Sequence, residues 1–303
     1  AEALALGRKY WRAAQVHRDL YEFVAGLKNG EPFDYELSLD ETEAPTEPKE
    51  LLFYMVLLEE VMGVPRGAVT SAAPNLGFRK RADYEGDIEG DLKPRANACA
   101  SILAAFDATL CIHSGSGAGV ETGKGPGVDE ALAEATGGRL MLKVSGIYQE
   151  ILWRTLADSP DPAERALFEE AWEETHRVTR FLDLVYQRLI AGRPMEEVLT
   201  LLKDEAALER VGKEWGDVEE AVRLVKQVLG YGPHQAVLAH QLLPSADPAR
   251  KKPADDFFRH FAYLVFRPLR GKIYATMTAE GWERYARAVE RYTRMRLKGL
   301  GFE

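Results

Sequence analysis

Apolar residues along this chain alternate between two patterns, short unbroken runs and longer stretches with apolar positions three and four apart. The short runs are Ala68–Ala73, Ala108–Ile112 and Arg139–Ser145, joined by Phe33–Leu39, which alternates in part, and each predicts a strand. Helical spacing fills the intervals. In residues 1–27 it places Tyr10, Ala13, Ala14, Val16, Leu20, Phe23, Val24 and Leu27, and it recurs in Leu51–Met62, Ala96–Phe106 and Val128–Thr136. Gly30 with Pro32 and Gly63 with Pro65 end the first two helices. Strands alternating with helices predict an α/β fold with a parallel sheet, in which right-handed crossovers bring the strands' carboxyl ends to one rim. From Tyr148 to about Leu243 the pattern is helical, anchored by Trp153, Leu156, Phe168, Trp172, Phe181, Leu184 and Tyr186. A polar linker, Ser245–Asp256, precedes His260–Phe266, which suits either a fifth strand or the start of a helix, and Ala279–Leu300 is amphipathic. No fixed period repeats, so a solenoid is not expected.

Charge narrows the function. With 39 Lys and Arg against 48 Asp and Glu, the net charge of −9 disfavours a nucleic-acid surface and favours small-molecule chemistry. The only cysteines are Cys99 and Cys111, which suggest neither a disulfide framework nor a thiolate zinc site and make a reducing cytoplasm the simplest setting. No run of about 18 apolar residues and no basic-then-apolar leader is seen, so neither membrane spanning nor secretion is expected.

Candidate chemistry gathers at the predicted strand ends. Asp40, Glu41 and Glu43 follow the first strand, where carboxylates could bind a cation or move a proton; equally, they could favour a helix start, with Thr46 and Glu50 capping. Pro74-Asn75 follows the second strand. His113 ends the third and is followed by Ser114, Gly115 and Ser116, offering hydroxyls and unencumbered N–H groups, although a plain tight turn would read the same way. Gly115–Gly127 is too glycine-rich for regular structure and lacks a P-loop ending; it reads as a mobile lid carrying Lys124. Lys143 in an otherwise apolar strand must reach a cavity or carboxylate, or snorkel to the rim, and Ser145 points to the same end. The triplet Arg79-Lys80-Arg81 reads as a solvated loop, and His176, His234 and His240 as structural or exposed.

Taken together, Leu37–Thr46, Ala73-Pro74, Asp83–Asp87, Ile112–Ser116, Thr136–Gly138 with Leu142-Lys143, and His260–Tyr263 resemble the tagaturonate/fructuronate epimerase family, in the family's order. The specific parts are Asp-Glu-Thr-Glu-x-Pro-Thr and His-Ser-Gly-Ser. The resemblance covers residues 33–145 well and 250–300 loosely. It implies a TIM-like β/α barrel or partial barrel with a helical C-terminal extension: residues 1–150 as β/α units carrying the site, 151–250 as a helical insertion, and 251–303 as a closing β/α unit and C-terminal helix. Two departures stand out. Where the family continues His-Ser-Gly-Ser with Asp-Lys, this chain has Gly117-Ala118, and only a helix precedes the strand ending at Asp40, leaving about half of an eight-stranded barrel.

The resemblance implies a metal-dependent sugar-acid epimerase interconverting D-tagaturonate and D-fructuronate. These ketohexuronates differ at a hydroxyl-bearing carbon β to the ketone, whose C–H is not acidic, so retro-aldol cleavage and re-addition is the expected route. On that reading His113 and His260 bind a divalent ion (zinc, manganese or nickel), and Glu41, Glu43 and Lys143 are the catalytic candidates. Asp40, Asn75, Ser114, Gly115, Ser116, Lys124 and Ser145 would meet the substrate. The expected partner is a small-molecule sugar acid, with no nucleic acid or membrane and with a homo-oligomer compatible. Two alternatives stay open: a metal-dependent sugar aldolase or isomerase with another substrate, and a non-catalytic sugar-acid-binding or assembly protein.

Overall fold

The computed structural model describes residues 2–79, 82–229 and 232–302. Lys80 and Arg81 of the basic triplet lie outside that set. The chain divides into two compact units, residues 1–148 with 288–303, and residues 149–287.

In the first unit, helix α1 (Glu2–Lys28) buries Tyr10 and Ala14 and stops at Asn29 and Gly30, both with positive φ. Strand β1 (Glu36–Leu39) leads to α2 (Pro48–Val56), whose capping box pairs Glu47 with Glu50 and whose last turns continue as a π-helix over Leu57–Val61. Then come β2 (Ser71–Pro74), a π turn at Ile88–Leu92 capped by Asp87, and α3 (Lys93–Ala105). Strand β3 (Thr109–Ile112), α4 (Val128–Thr136) and β4 (Leu140–Leu142) follow, and α5 (Ser145–Ala157) starts at the next serine. Ser145 therefore opens a helix rather than ending a strand; its side chain lies outside the described residues.

The four strands pair in parallel in the order β1-β2-β3-β4. In-register residues of a parallel sheet face the same way, so the pairing sorts side chains into two faces. Leu37, Ala72 and Leu110 stand in one row and join the core beneath the helices with Leu51, Tyr54, Leu103 and Leu132. Ser38 and Ala73 stand in the opposite row, with Cys111 one step beyond the Ala72–Leu110 pair. That second face leaves Glu36, Ser38, Met141 and Lys143 exposed. The described residues form a four-stranded sheet, which fits the α/β expectation but does not close into a barrel.

The second unit is helical: the rest of α5, α6 (Pro162–Val185) with a π turn at Tyr186–Ile190, α7 (Met195–Leu201), α8 (Glu205–Trp215), α9 (Val218–Leu229), α10 (His234–Leu242), α11 (Asp256–Phe261), α12 (Tyr263–Thr276) and the start of α13 (Ala279–Gly299). Trp153, Trp172, Phe181, Phe257, Phe258 and Phe261 fill its core. His260–Phe266 is thus helix, split between α11 and α12. The expected closing β/α unit in 251–303 contains no strand among the described residues, because Phe257, Phe258 and Phe261 repeat at helical spacing against α6.

Candidate active site

The site begins with the period of two along β1. Glu36, Ser38 and Asp40 share a face, as do Cys111 and His113 at the end of β3. The two strands are separated by β2, so their side chains stand about 9–10 Å apart at the backbone and meet only above a small residue. Ala73, fully buried, is that residue.

His113 is 8% exposed and is held at both ring nitrogens: Nδ1 lies 2.9 Å from Asp40 Oδ1 and Nε2 2.9 Å from Glu36 Oε1. Ser38 Oγ donates to the same Asp40 oxygen at 2.8 Å. Glu36, Cys111 and His113 offer ligand atoms within 4.8 Å of one another. A neutral imidazole can donate to only one of its two carboxylate partners and turns a lone pair toward the other, so a cation is required between ring and carboxylate. A proton or a divalent ion meets that need. The donor set of one carboxylate, one thiol and one imidazole fits a zinc-type ion at Nε2, with Asp40 fixing the ring from Nδ1.

Without an ion, the two acidic members of this set shift in opposite directions. Burial pushes the Glu36 carboxyl up, but hydrogen bonds from Cys111 and His113, with charge from His113 and Lys143, bring it below its usual range. The Cys111 thiol moves the other way, pushed up to about 12 by burial and by its bond to Glu36. Because the folded value is the higher one, this stabilisation is complete below the ordinary thiol value of 9.0 and is lost as the pH climbs toward about 12. Cys111→Ala should flatten the alkaline side of a stability–pH curve in that window, read from urea midpoints; an unchanged curve would count against the Cys111–Glu36 bond.

A second expectation concerns Ala73. Ala73→Leu should fill the gap that the His113 and Glu36 side chains bridge, costing about 1–3 kcal/mol by overpacking and weakening zinc binding. Urea denaturation and zinc titration of the variant would check both; full zinc affinity would show that the approach does not run over β2.

Asp40, Asn75, Phe78, His113 and Ser114 line a cleft of 10 Å³ at the strand ends, room for one water-sized body. Within the first unit, residues 5–147 match the family model for tagaturonate epimerase. Over this segment the chain is similar to the tagaturonate epimerase family. The tagaturonate/fructuronate epimerase of Thermotoga maritima is 34% identical over 126 residues, a match covering 40% of this chain and 23% of that protein. A glycerol complex of the fructuronate-tagaturonate epimerase from Cohnella laeviribosi aligns with 97% of this chain and 50% of its own at a TM-score of 0.52 and 23% identity. A second glycerol complex of the same enzyme gives 0.51 and 20%. These structures show likeness of fold, and the chain spans about half their length.

Of the residues that the epimerase resemblance singles out, Asp40 and His113 come together. Glu41 and Glu43 lie exposed on the loop after β1. Asn75 organises that loop, donating through Nδ2 to the Thr42 carbonyl at 2.9 Å and accepting from Gly77 N–H at 2.8 Å. Ser114 has φ +56°, Ser116 is half-buried, and Gly115 is buried with its N–H on the Lys143 carbonyl at 3.2 Å. Lys143 is exposed, and its charge acts on Glu36 and Cys111.

One placement differs from expectation. Lys124 is not on an open lid: it is 1% exposed, its ammonium donates to the Arg79 and Ala82 carbonyls and lies 5.3 Å from the Phe78 ring. Burial, with the charge of Arg296, lowers its amine to about 8. His260 belongs to the helical unit, where Nε2 lies 3.0 Å from Gln235 Oε1. The residues that motif reading missed are Glu36 and Cys111. Their signal was even spacing, four residues from Glu36 to Asp40 and two from Cys111 to His113, which places each on the same sheet face as its neighbour. No helix among the described residues is long and apolar enough to cross a membrane.

Proposed function

We propose that this chain carries part of the active site of a ketohexuronate epimerase, built on half of a TIM-like β/α barrel and acting on D-tagaturonate and D-fructuronate with a divalent ion. The observation that carries the reading is the Asp40–His113–Glu36 contact beside Cys111, at the strand ends of the segment that matches the tagaturonate epimerase family. Glu36, Cys111 and His113 would hold the ion, zinc being favoured by the thiol over manganese or nickel. When bound, the ion supplies positive charge that polarises a ketone.

The residues of the chain do the rest. A carboxylate on the exposed loop, Glu41 or Glu43, takes the proton of the hydroxyl β to the ketone; the neighbouring carbon–carbon bond breaks to an aldehyde and an enolate, re-forms on the other face of the aldehyde, and the new alkoxide takes the proton back. Lys143 stands by electrostatically to receive the negative charge of the substrate's carboxylate, and the Ser114 and Ser116 hydroxyls bond its other oxygens. Asp40 keeps the His113 ring oriented throughout.

Incubating the purified chain with zinc, manganese or nickel and D-tagaturonate, and following D-fructuronate, tests the reading. Turnover that disappears with a chelator supports it; zinc binding without turnover under all three ions would sink it. Gly117, where the family has an acidic residue, favours a second reading, an aldolase or isomerase for another sugar, which a panel of ketoses and ketouronates would separate.

A further inference from the structure

We propose that Arg296, near the end of α13, is a positioning residue for the site: it fixes the turn that carries His113 and Ser114. The inference rests on the metal-dependent reading above and concerns a residue outside the segment, 5–147, that matches the family model.

Arg296 is 4% exposed, and its guanidinium is fully engaged. Nε and Nη2 bind the two oxygens of Asp129, each at 2.6 Å, in the fork geometry that favours arginine over lysine. Nη1 donates to the Gly115 carbonyl and, at 3.1 Å, to the Tyr292 hydroxyl. Asp129 lies in the first turn of α4, so one side chain ties that helix and α13 to the residue two places after His113.

The turn is built to accept this clamp. Gly115 is pinned from both sides, its N–H by the Lys143 carbonyl and its own carbonyl by Arg296. A Cβ on Gly115 would lie 2.5 Å from the Leu142 side chain. One on Gly117 would fall 1.2 Å from the Gly123 carbonyl oxygen, and one on Gly123 would meet the guanidinium at 3.1 Å. Gly123 thus leaves room for the Arg296 guanidinium, while Gly115 and Gly117 let the turn close against Leu142 and against the Gly123 backbone. Releasing it frees the Gly115 peptide, and with it Ser114 at φ +56°, while the sheet keeps its own hydrogen bonds.

The test uses the full chain with Arg296→Lys and Asp129→Asn, and Arg284→Lys as a control that weakens an equivalent carboxylate pair, with Glu164, in the helical unit. Two readouts are taken: hydrogen exchange over residues 111–127, and affinity for zinc alone by competition with a chelator. The expected result is faster exchange in that segment and about tenfold weaker zinc binding for both site variants, the range in which residues supporting metal ligands act. The control should melt earlier with both readouts unmoved. Unchanged exchange, or faster exchange with zinc affinity intact, would overturn the positioning role. If the parent binds no zinc, kcat for D-tagaturonate takes the place of affinity: a tenfold fall at constant KM supports the proposal and an equal kcat overturns it. A parent with neither property overturns the metal-dependent reading and the proposal together.

Discussion

His113→Ala should abolish zinc binding and lower kcat/KM for D-tagaturonate by about a thousandfold or more, while leaving the fold intact. Removing the ring takes away a ligand atom and the group that separates Glu36 from Asp40. Both carboxylates then face a vacated volume over Ala73, with the negative charge that the ring had bridged now uncompensated. Leaving such partners unpaired costs about 1–3 kcal/mol, so a modest loss of stability should accompany the loss of metal. The stability part should shrink on acidification, as Glu36 takes up a proton and the repulsion ends. Metal analysis of the purified variant, urea midpoints at two pH values and a turnover assay separate the effects. Retained stoichiometric zinc would move the metal away from β3.

The other large effect is expected at Gly117, where the resemblance to the epimerase family implies an acidic residue. Introducing one with Gly117→Asp should destabilise the first unit by about 3 kcal/mol or more rather than improve the site. The position has φ +71°, and its Cβ would sit 1.2 Å from the Gly123 carbonyl oxygen. The clash cannot be relieved by rotating a side chain, because its partner is the Gly123 backbone. The turn must open, and the Gly115–Arg296 contact goes with it. Thermal melting and zinc affinity of the variant give the answer. A well-folded Gly117→Asp protein with raised epimerase activity would show that the turn can be rebuilt around a side chain.

Much of this was open to reading in the amino-acid order, and the reasons for success and failure are physical. Runs such as Thr109–Ile112 are apolar and partly β-branched between glycine- and charge-rich flanks, so their strand character and shared rim follow from local pattern alone. Asp40 and His113 stood out because each ends a strand. Glu36 and Cys111 did not, since a carboxylate at a strand's start and a thiol within an apolar run carry no local sign of facing each other. Their meeting depends on register across β2 and on the small size of Ala73. Lys124 was misjudged for a related reason: glycine density suggested mobility, yet the ammonium draws the loop onto the Arg79 and Ala82 carbonyls. The helical fate of His260–Phe266 was decided by aromatic packing within the second unit, which no short window displays.

The return of residues 288–302 to the first unit also sets an order of assembly. A ribosome adding about 5–20 residues per second makes the four strands first and needs roughly ten seconds or more to reach Arg296. Throughout that interval Asp129 lacks its cationic partner and the Gly115 carbonyl lacks its donor. The nascent sheet can form, but the turn behind His113 stays loose until α13 is released. On the positioning role proposed for Arg296, the turn reaches its final geometry only once that guanidinium has met Asp129.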